Sequence, residues 1–138
     1  MTNIDKLDHS SLIKNYNVDY QTPDSAGTAT AYLTGVKGRY GTIGVNAANI
    51  RYDCDTLRGN EVESVLNKAK TAGKSVGIVT NTYIVHASPA PAYAHCPSRS
   101  WYSDTDMKDD LDNYDQVKTW CKDLATQFHE KRHLFGLF

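Results

Sequence analysis

The order of apolar and polar residues predicts alternating helices and buried strands, most clearly between residues 60 and 80. Asn60 and Glu63 form a variant of the capping box that begins a helix, and Gly73 ends it. The apolar side of this helix consists of Val62, Val65, Leu66 and Ala69. The apolar, β-branched run 75–80 follows a short turn and predicts a buried strand. A helix that leads into a buried strand indicates an α/β fold with a largely parallel sheet flanked by helices.

Shorter patterns predict the elements around this unit. Residues 41–45 have the composition of a short strand, and residues 116–128 place an apolar side on a final helix. The long stretch from residue 81 to residue 103 is irregular because prolines interrupt it. Ligands of open α/β sheets bind at loops that follow strands. Four polar residues of this stretch therefore lie where chemistry is expected: His86, Ser88, His95 and Arg99.

A run of small residues after Pro23 predicts a second, closely packed helix. Pro23 fixes the entering backbone, Asp24 is a good N-cap, and residues 35–38 close the helix. Ser25 would then lie at a helix N-terminus, where free N–H groups and the helix dipole favour a negative charge. That setting suits a serine nucleophile that attacks a phosphate, but a capping role for Ser25 is the simpler interpretation of the residues alone.

Composition limits the class of protein. The chain has 138 residues, enough for one domain, with 40% hydrophobic and 22% charged residues. Its formal charge of −1 gives no electrostatic support for a nucleic-acid partner. No apolar run approaches the length of a membrane span, and residues 1–10 lack the apolar core of a signal peptide. Three cysteines permit one disulfide and leave one thiol, which does not settle the compartment.

Two known ligand-binding motifs, the P-loop and the calcium loop, are incomplete in this sequence. The residues 73–75 match the end of a phosphate-binding P-loop, but the required glycine five residues earlier is Lys68, and the predicted helix and strand have the wrong order. The acidic stretch 104–115 lacks the glycine and the final glutamate of a calcium loop. A solvated acidic surface explains it better.

Several segments resemble those of animal alkaline phosphatases and occur in the same order. Residues 23–33, PDSAGTATAYL, are similar to the segment that contains the family's nucleophile. Further similar segments are 56–62, 72–80, 86–90, 93–95, 99–104 and 123–127. The resemblance covers nearly all of residues 15–127. It implies a partial alkaline-phosphatase-like fold, incomplete relative to the family, in which residues 1–138 form a single partial domain.

The resemblance assigns roles to five residues. It implies that Ser25 is the nucleophile, that it becomes phosphorylated, and that it contacts zinc. Arg99 would bind two oxygens of the phosphoryl group, which its planar guanidinium suits. Ser88 would help to hold a magnesium ion with His86 close to that ion, and Asp24 would support the entry into the helix.

The resemblance also bears on partners and compartment. Cys54 and Cys121 match a family disulfide, which leaves Cys96 as a free thiol and implies an oxidising, extracellular or cell-surface location. Zinc and magnesium are the implied cofactors, and phosphate monoesters are the implied substrates. Family members are homodimers, and membrane association would require an anchor that this sequence does not contain.

Departures from the family leave two functions open. The family's catalytic domain is several times longer, and most of its metal ligands have no counterpart in these residues. Residues 132–138 resemble a piece that normally occurs much later, and the acidic stretch 104–115 is longer than the usual connection to Cys121. One hypothesis is a phosphomonoester hydrolase with a phosphoserine intermediate, inactive as this short chain. The other is a non-catalytic fragment that at most binds phosphate or another anion at the Ser25 helix terminus beside Arg99.

Overall fold

Five α-helices separated by long loops provide the regular structure of residues 6–9 and 11–135, which are those that this computed structural model describes. The helices are α1 (Ser25–Thr34), α2 (Val65–Thr71), α3 (Asp104–Asp110), α4 (Tyr114–Val117) and α5 (Leu124–Lys131). Short 3-10 turns occur at Ala90–Ala92 and Arg132–Leu134. Parts of the polar start and of the apolar end of the chain, namely residues 1–5, 10 and 136–138, lie outside the described residues.

Backbone pairing between loops takes the place of the sheet that the sequence predicts. Ile43 pairs with Cys96 and Val45 pairs with Glu61, and both bridges are antiparallel. No continuous strand occurs in residues 6–9 and 11–135, so the largely parallel sheet is not confirmed and the strand 41–45 is reduced to two bridged positions. Between Val45 and Glu61 the chain returns through loops alone, without the crossover helix that connects parallel strands.

The region around α2 corrects two predictions. Ser64, not Asn60, caps the helix by accepting a hydrogen bond from the Asn67 N–H, because the backbone of residues 60–62 is already paired with residues 44–46. The segment 75–80, predicted as a buried strand, forms no continuous strand and is largely exposed, with Val79 91% exposed. A β-branched run becomes a buried strand only when neighbouring strands cover it.

The predicted helix 116–128 is divided in two. The chain leaves α4 after Val117, and Asp123 begins α5 by accepting a hydrogen bond from the Thr126 N–H. The first N–H groups of α5 are bonded as well, because Leu124 donates to the carbonyl of Trp101 and Ala125 donates to that of Tyr102. These tertiary partners satisfy the free donors of a new helix N-terminus, so the division is stable.

The core joins side chains from loops as well as from helices. Its largest fully buried members are Trp101, Tyr93, Ile43, Met107, Leu124 and Val45. Helix α1 packs against the turn Ala90–Ala92, and its alanines allow a close approach because Ala26 and Ala29 are almost fully buried. The small side chains that mark this segment in the sequence therefore serve tight packing of the helix that begins with Ser25.

A disulfide joins two loops that are distant in sequence. Cys54 and Cys121 are bonded with their Cα atoms 5.9 Å apart, which is the pairing that the resemblance implies. Cys96 is a free, fully buried thiol, and this burial raises its pKa to about 12. Cys96 therefore stays protonated and unreactive at neutral pH.

Candidate active site

An ion pair connects the two loops that the sequence analysis singled out. Arg99 donates from Nη1 to Oδ2 of Asp24 across 3.0 Å, although 75 positions separate the two residues. The side chain of Asp24 is 4% exposed and that of Arg99 is 22% exposed. The cation is therefore held at the surface, beside the start of α1, by a carboxylate that water hardly reaches.

Asp24 makes two further hydrogen bonds that hold this arrangement. Its Oδ1 accepts hydrogen bonds from the Gly27 N–H at 3.0 Å and from Nδ2 of Asn17 at 3.3 Å. Burial raises the pKa of Asp24, but the hydrogen bonds from Gly27, Arg99, Gly41 and Asn17 together outweigh burial and hold the pKa below its ordinary value. Asp24 is therefore a charged helix cap and an anchor for Arg99, as well as a poor proton acceptor.

Two glycines allow this close packing. A Cβ at Gly27 would lie 2.0 Å from Oδ1 of Asn17, so only glycine lets Asn17 reach the helix start. Gly41 has a φ of 76° and its carbonyl accepts the backbone N–H of Arg99 at 2.8 Å. A side chain at Gly41 would also collide with the guanidinium of Arg51. The loop through Gly41 thereby brings Arg99 to Asp24.

Ser25 is the first residue of α1 and is partly exposed. In the described part of the chain its hydroxyl makes no hydrogen bond, and none joins it to Arg99 or Ser88. The Thr28 N–H donates to the Asp24 carbonyl and the Gly27 N–H donates to its carboxylate. The N–H groups of Ser25 and Ala26 are thus the ones that remain at this helix terminus.

Ser88 reaches the same helix at its other end. The Tyr32 hydroxyl donates to the Ser88 carbonyl at 3.3 Å, and Tyr32 lies on the face of α1 that Ser25 occupies because seven residues make nearly two turns. Ser88 also lines a cavity of about 230 Å³ with Tyr32, Leu66, Ile78 and others, a lining that includes neither Ser25 nor Arg99. Ser25, Ser88 and Arg99, to which the resemblance assigns roles at one site, therefore do not share this cavity.

Three aromatic rings lie between the Ser88 loop and the Arg99 loop. Tyr83 is 55% exposed and contacts His86, with ring centroids 5.1 Å apart, and Tyr102, with ring centroids 5.6 Å apart. Its hydroxyl donates to the Tyr102 hydroxyl at 3.3 Å. His86 approaches the Ser88 backbone N–H with Nδ1 at 3.5 Å. We call Tyr83, His86 and Tyr102 the aromatic cluster.

His95, the fourth polar residue of this stretch, has a structural role. Its Nδ1 lies 2.7 Å from the Gly44 carbonyl, and Gln127 bonds both its backbone N–H and its carbonyl. Burial lowers the pKa of His95, so the imidazole is neutral at physiological pH. His95 therefore fastens α5 to the loop at residue 44 and does not belong to the Asp24–Arg99 region.

Neither a cluster of metal-binding side chains nor a membrane-spanning helix occurs among the described residues. Between residues 6 and 135, residue 10 apart, no three His, Cys, Asp or Glu side chains converge as a metal ion requires. These side chains therefore do not fit a zinc ion by themselves. Over the same residues, no helix combines the length and the apolar character needed to cross a bilayer.

We expect Asp24→Asn to destabilise the chain by about 2 kcal/mol at neutral pH, since Arg99 loses a charge-assisted hydrogen bond at a buried carboxylate. The folded-state pKa of Asp24 lies below its ordinary value of 3.8, so the stabilisation that Asp24 contributes is fully present above pH 3.8. It is lost as the pH falls through the lower folded-state pKa. Urea unfolding of both proteins at neutral and acidic pH should therefore show a difference that shrinks in acid.

Asp104→Asn is the matched control for this charge removal. Asp104 pairs with Lys108 at 3.2 Å, but both side chains are more than half exposed, so solvent screens the pair. Its substitution should change stability little at either pH. An Asp104→Asn effect as large as that of Asp24→Asn would contradict the role assigned to the buried carboxylate.

The sequence analysis missed two residues and one surface. Asn17 and Gly41 hold Asp24 and Arg99, but Asn17 has no local pattern that marks it, and Gly41 was interpreted only as part of a strand. Gly41 is followed by a second glycine, Gly44, three positions later. Two glycines this close together in a short segment are the available sequence signal for a tight turn and not for a strand. The contacts of Tyr83 with Tyr102 depend on the tertiary fold and have no signal in the sequence.

Comparison with known proteins gives a consistent result. The family model described as alkaline phosphatase matches residues 1–134. The alkaline phosphatase of Gadus morhua is 53% identical over 127 residues, which are 92% of this chain and 26% of that protein. The tissue-nonspecific alkaline phosphatase of Homo sapiens is 53% identical over 124 residues, 90% of this chain and 23% of that protein. The chain thus spans about a quarter of the length of these curated relatives.

Solved structures agree at the level of the fold. The alkaline phosphatase of the Antarctic bacterium TAB5 aligns with a TM-score of 0.58 and 28% identity, over 86% of this chain and 35% of that one. A variant of the TAB5 enzyme, described with Mg bound in its M3 site, aligns with a TM-score of 0.58 and 27% identity, over 86% and 34% of the two chains. The fold is therefore alkaline-phosphatase-like, and the match of the family model to residues 1–134 shows that the chain belongs to the alkaline phosphatase family.

Proposed function

We propose that this chain supplies the nucleophile and the phosphoryl-binding arginine of an alkaline phosphatase site, and that by itself it binds phosphate without efficient turnover. The ion pair between Arg99 and Asp24, directly before Ser25, is the observation that carries the proposal. It supports a cation placed beside the serine that the family resemblance marks as the nucleophile. The substrates are phosphate monoesters, as the family implies.

The orientation of Arg99 favours phosphate binding. Asp24 occupies Nη1, whereas a guanidinium has five N–H donors in a planar fork. The donors that remain can bind two oxygens of a phosphoryl group while Asp24 keeps the side chain in place. A phosphate there would also meet the terminal N–H groups of α1, where the helix dipole favours an anion.

Turnover requires more than this arrangement. A serine hydroxyl is a weak nucleophile at neutral pH and needs an activating group. Asp24 is the nearest carboxylate in sequence, but its lowered pKa and its hydrogen-bonded oxygens make it a poor base. We therefore expect the isolated chain to bind phosphate and to hydrolyse esters very poorly or not at all.

The metal contacts that the family implies involve only a few residues of this chain. The resemblance implies a zinc contact at Ser25 and a magnesium contact at Ser88, with His86 near magnesium. The described side chains do not form a zinc site on their own, so no step of this proposal depends on zinc held by this chain. In the family, such ions supply the positive charge that lowers the pKa of an attacking oxygen.

The disulfide supports the compartment that the resemblance implies. A bond between Cys54 and Cys121 persists in an oxidising environment, which favours an extracellular or cell-surface location. Homodimer formation and a separate membrane anchor remain predictions that rest on the family. No nucleic-acid partner is proposed, because the net charge of −1 offers no support for one.

The proposal is tested by measuring binding and turnover on the same purified chain. Inorganic phosphate should shift the amide NMR signals of Ser25, Ala26 and Arg99, and Arg99→Ala should weaken that binding about tenfold or more, the size of a lost charged hydrogen bond. A chromogenic phosphate ester with added zinc and magnesium should give little turnover, and Ser25→Ala serves as the background.

Each outcome decides one part of the proposal. Phosphate binding that Arg99→Ala leaves unchanged would overturn the binding role of Arg99. Robust hydrolysis that disappears in Ser25→Ala would overturn the expected inactivity and show that these residues assemble a working site. If neither phosphate binding nor turnover were observed, the proposed phosphate site would be overturned.

A further inference from the structure

A second cavity lies between α5 and the loops that pack against this helix. Its volume is about 280 Å³, and its lining includes Leu57, Glu61, His95, Trp120, Lys122 and Lys131. None of Ser25, Ser88 and Arg99 contributes to this lining, so the cavity is separate from the region of the proposed phosphate site.

Hydrogen bonds hold the amine of Lys131 at the wall of this cavity. The Gln127 side chain accepts a hydrogen bond from the backbone N–H of His95 and donates one to the His95 carbonyl, both at 2.9 Å. Lys131 lies four residues after Gln127 on the same face of α5, and its Nζ donates to the Tyr93 carbonyl at 2.6 Å. Helix α5 is thus joined to residues 93–95 at two points, and these contacts fix the amine in the cavity that His95 also lines.

The amine of Lys131 forms no ion pair within the described part of the chain. The neighbouring carboxylate of Glu130 accepts instead from Nζ of Lys122 at 2.6 Å, and Lys122 lines the cavity as well. Partial burial lowers the pKa of Lys131 and outweighs the opposing charge of Glu130, and the positive charge of Lys122 lowers this pKa further. The neutral, nucleophilic form of Lys131 is therefore more abundant at neutral pH than that of an ordinary surface lysine.

Two other ionisable side chains of the lining are held by partners of their own. Nδ1 of His95 lies 2.7 Å from the Gly44 carbonyl, which can only accept a hydrogen bond, so Nδ1 carries the hydrogen of a neutral ring. Glu61 is fixed by its backbone bridge to Val45, beside the glycine that His95 contacts, and its charge raises the pKa of His95. Among the described residues, neither side chain pairs with Lys131.

The remaining lining suits a short apolar chain. Leu57 is 4% exposed, and the Trp120 ring is only partly buried. The guanidinium carbon of Arg58 lies 4.2 Å from the centroid of this ring. An alkyl chain that contacts Leu57 and Trp120 loses contact between water and its apolar surface, which favours its entry into the cavity.

We propose that this cavity binds small apolar aldehydes covalently, as imines of Lys131. The neutral amine attacks the aldehyde carbon, a C–N bond forms, and one amine hydrogen passes to the oxygen, which becomes a hydroxyl. Loss of this hydroxyl together with the second amine hydrogen as water leaves a C=N bond, so no oxidant or reductant is required. After protonation by solvent, the imine nitrogen keeps an N–H that can donate to the Tyr93 carbonyl.

The test uses butanal and the purified chain. Cyanoborohydride reduces each imine to a stable secondary amine, and mass spectrometry of peptides measures the label at every lysine. At neutral pH we expect Lys131 to be labelled about tenfold faster than the exposed Lys74. The rate at Lys131 should saturate as the butanal concentration is raised, because the aldehyde first occupies the cavity, whereas the rate at Lys74 should rise in proportion.

The variant Lys122→Gln tests the arrangement of charges, and Lys118→Gln is its matched control. Both lysines donate to a carboxylate at 2.6 Å, Lys122 to Glu130 and Lys118 to Asp115. Lys122→Gln removes a positive charge near Lys131 and frees Glu130 to pair with it, so labelling of Lys131 should slow by about threefold to tenfold. Lys118→Gln should leave this labelling unchanged.

Each result either supports or overturns the proposal. Fast, saturable labelling of Lys131 that slows in Lys122→Gln but not in Lys118→Gln supports it. Labelling of Lys131 at the rate of Lys74, or a rate that rises without saturation, shows ordinary surface reactivity and overturns it. Labelling that is equally fast in Lys122→Gln, or equally slowed in both variants, overturns the role of the cavity charges in activating the amine.

Discussion

Removal of the Cys54–Cys121 disulfide should lower the free energy of unfolding by about 4 kcal/mol. The bond closes a loop whose ends are 67 residues apart, so its loss returns a large conformational freedom to the unfolded chain. Both sulfurs are buried, and the double variant Cys54→Ala/Cys121→Ala removes them without introducing a polar group. Urea unfolding should show a lower midpoint together with a larger slope, because the reduced chain exposes more surface when it unfolds.

Reductant provides the internal control for this experiment. It should destabilise the natural chain to the level of Cys54→Ala/Cys121→Ala and should leave that variant unchanged. Cys96→Ala, which removes a buried thiol outside the disulfide, should respond to reductant as the natural chain does. A double variant as stable as the natural chain would contradict the expectation.

Trp101→Ala should cost about 4 kcal/mol, the range of large aromatic deletions in cores. Trp101 is fully buried, its Nε1 donates to Asp110 at 2.8 Å, and its carbonyl accepts the Leu124 N–H. The Trp101 side chain therefore bonds to α3, and its backbone bonds to the start of α5, two residues from Arg99. Thermal or urea unfolding measures the loss, and the NMR signals of Arg99 report whether the ion pair with Asp24 persists.

Two substitutions divide the effect of Trp101 into its parts. Trp101→Phe keeps most of the buried ring and loses the hydrogen bond to the exposed Asp110, so about 1 kcal/mol should be lost. Trp120→Ala removes a tryptophan that is only partly buried. The guanidinium carbon of Arg58 lies over this ring, 4.2 Å from the centroid of the Trp120 ring. If Trp120→Ala destabilised the chain as much as Trp101→Ala, burial would not be the cause.

Local signals predicted α1 correctly because every feature that defines it lies within about a dozen residues. Asp24 caps the helix, and Gly35 ends it with a φ of 78° that glycine adopts without strain. Neither feature depends on distant contacts. The capping roles expected for Asp24 and for the glycine after the helix could therefore be inferred from the printed residues alone.

Tertiary competition explains where the same signals misled. Asn60 and Glu63 have the pattern of a capping box, but the backbone around them pairs with residues 44–46, and the helix begins at Val65. The segment 75–80 has the composition of a buried strand and lacks a covering strand in the described residues. Local propensity is only a preference. Long-range pairing overrides it at residues 60–63, and the absence of a partner strand leaves it unused at residues 75–80.

The sequence indicated candidate members of the site but not the contacts between them. The resemblance indicated Ser25, Ser88, His86 and Arg99, and the sequence alone marked Asp24 as a cap. That Asp24 also binds Arg99 could not be inferred, because the contact joins residues 75 positions apart. The positions of the aromatic rings follow from the same long-range packing.

The ion pair between Asp24 and Arg99 has a consequence for the order of folding. Helix α1 and its cap form from neighbouring residues, whereas the pair closes 75 positions and the disulfide closes 67. Contacts between residues far apart in the chain form slowly, because the loop between them must first give up its freedom. We therefore expect the serine at the start of α1 to reach its place in a helix early, and the cation beside it to arrive among the last events of folding.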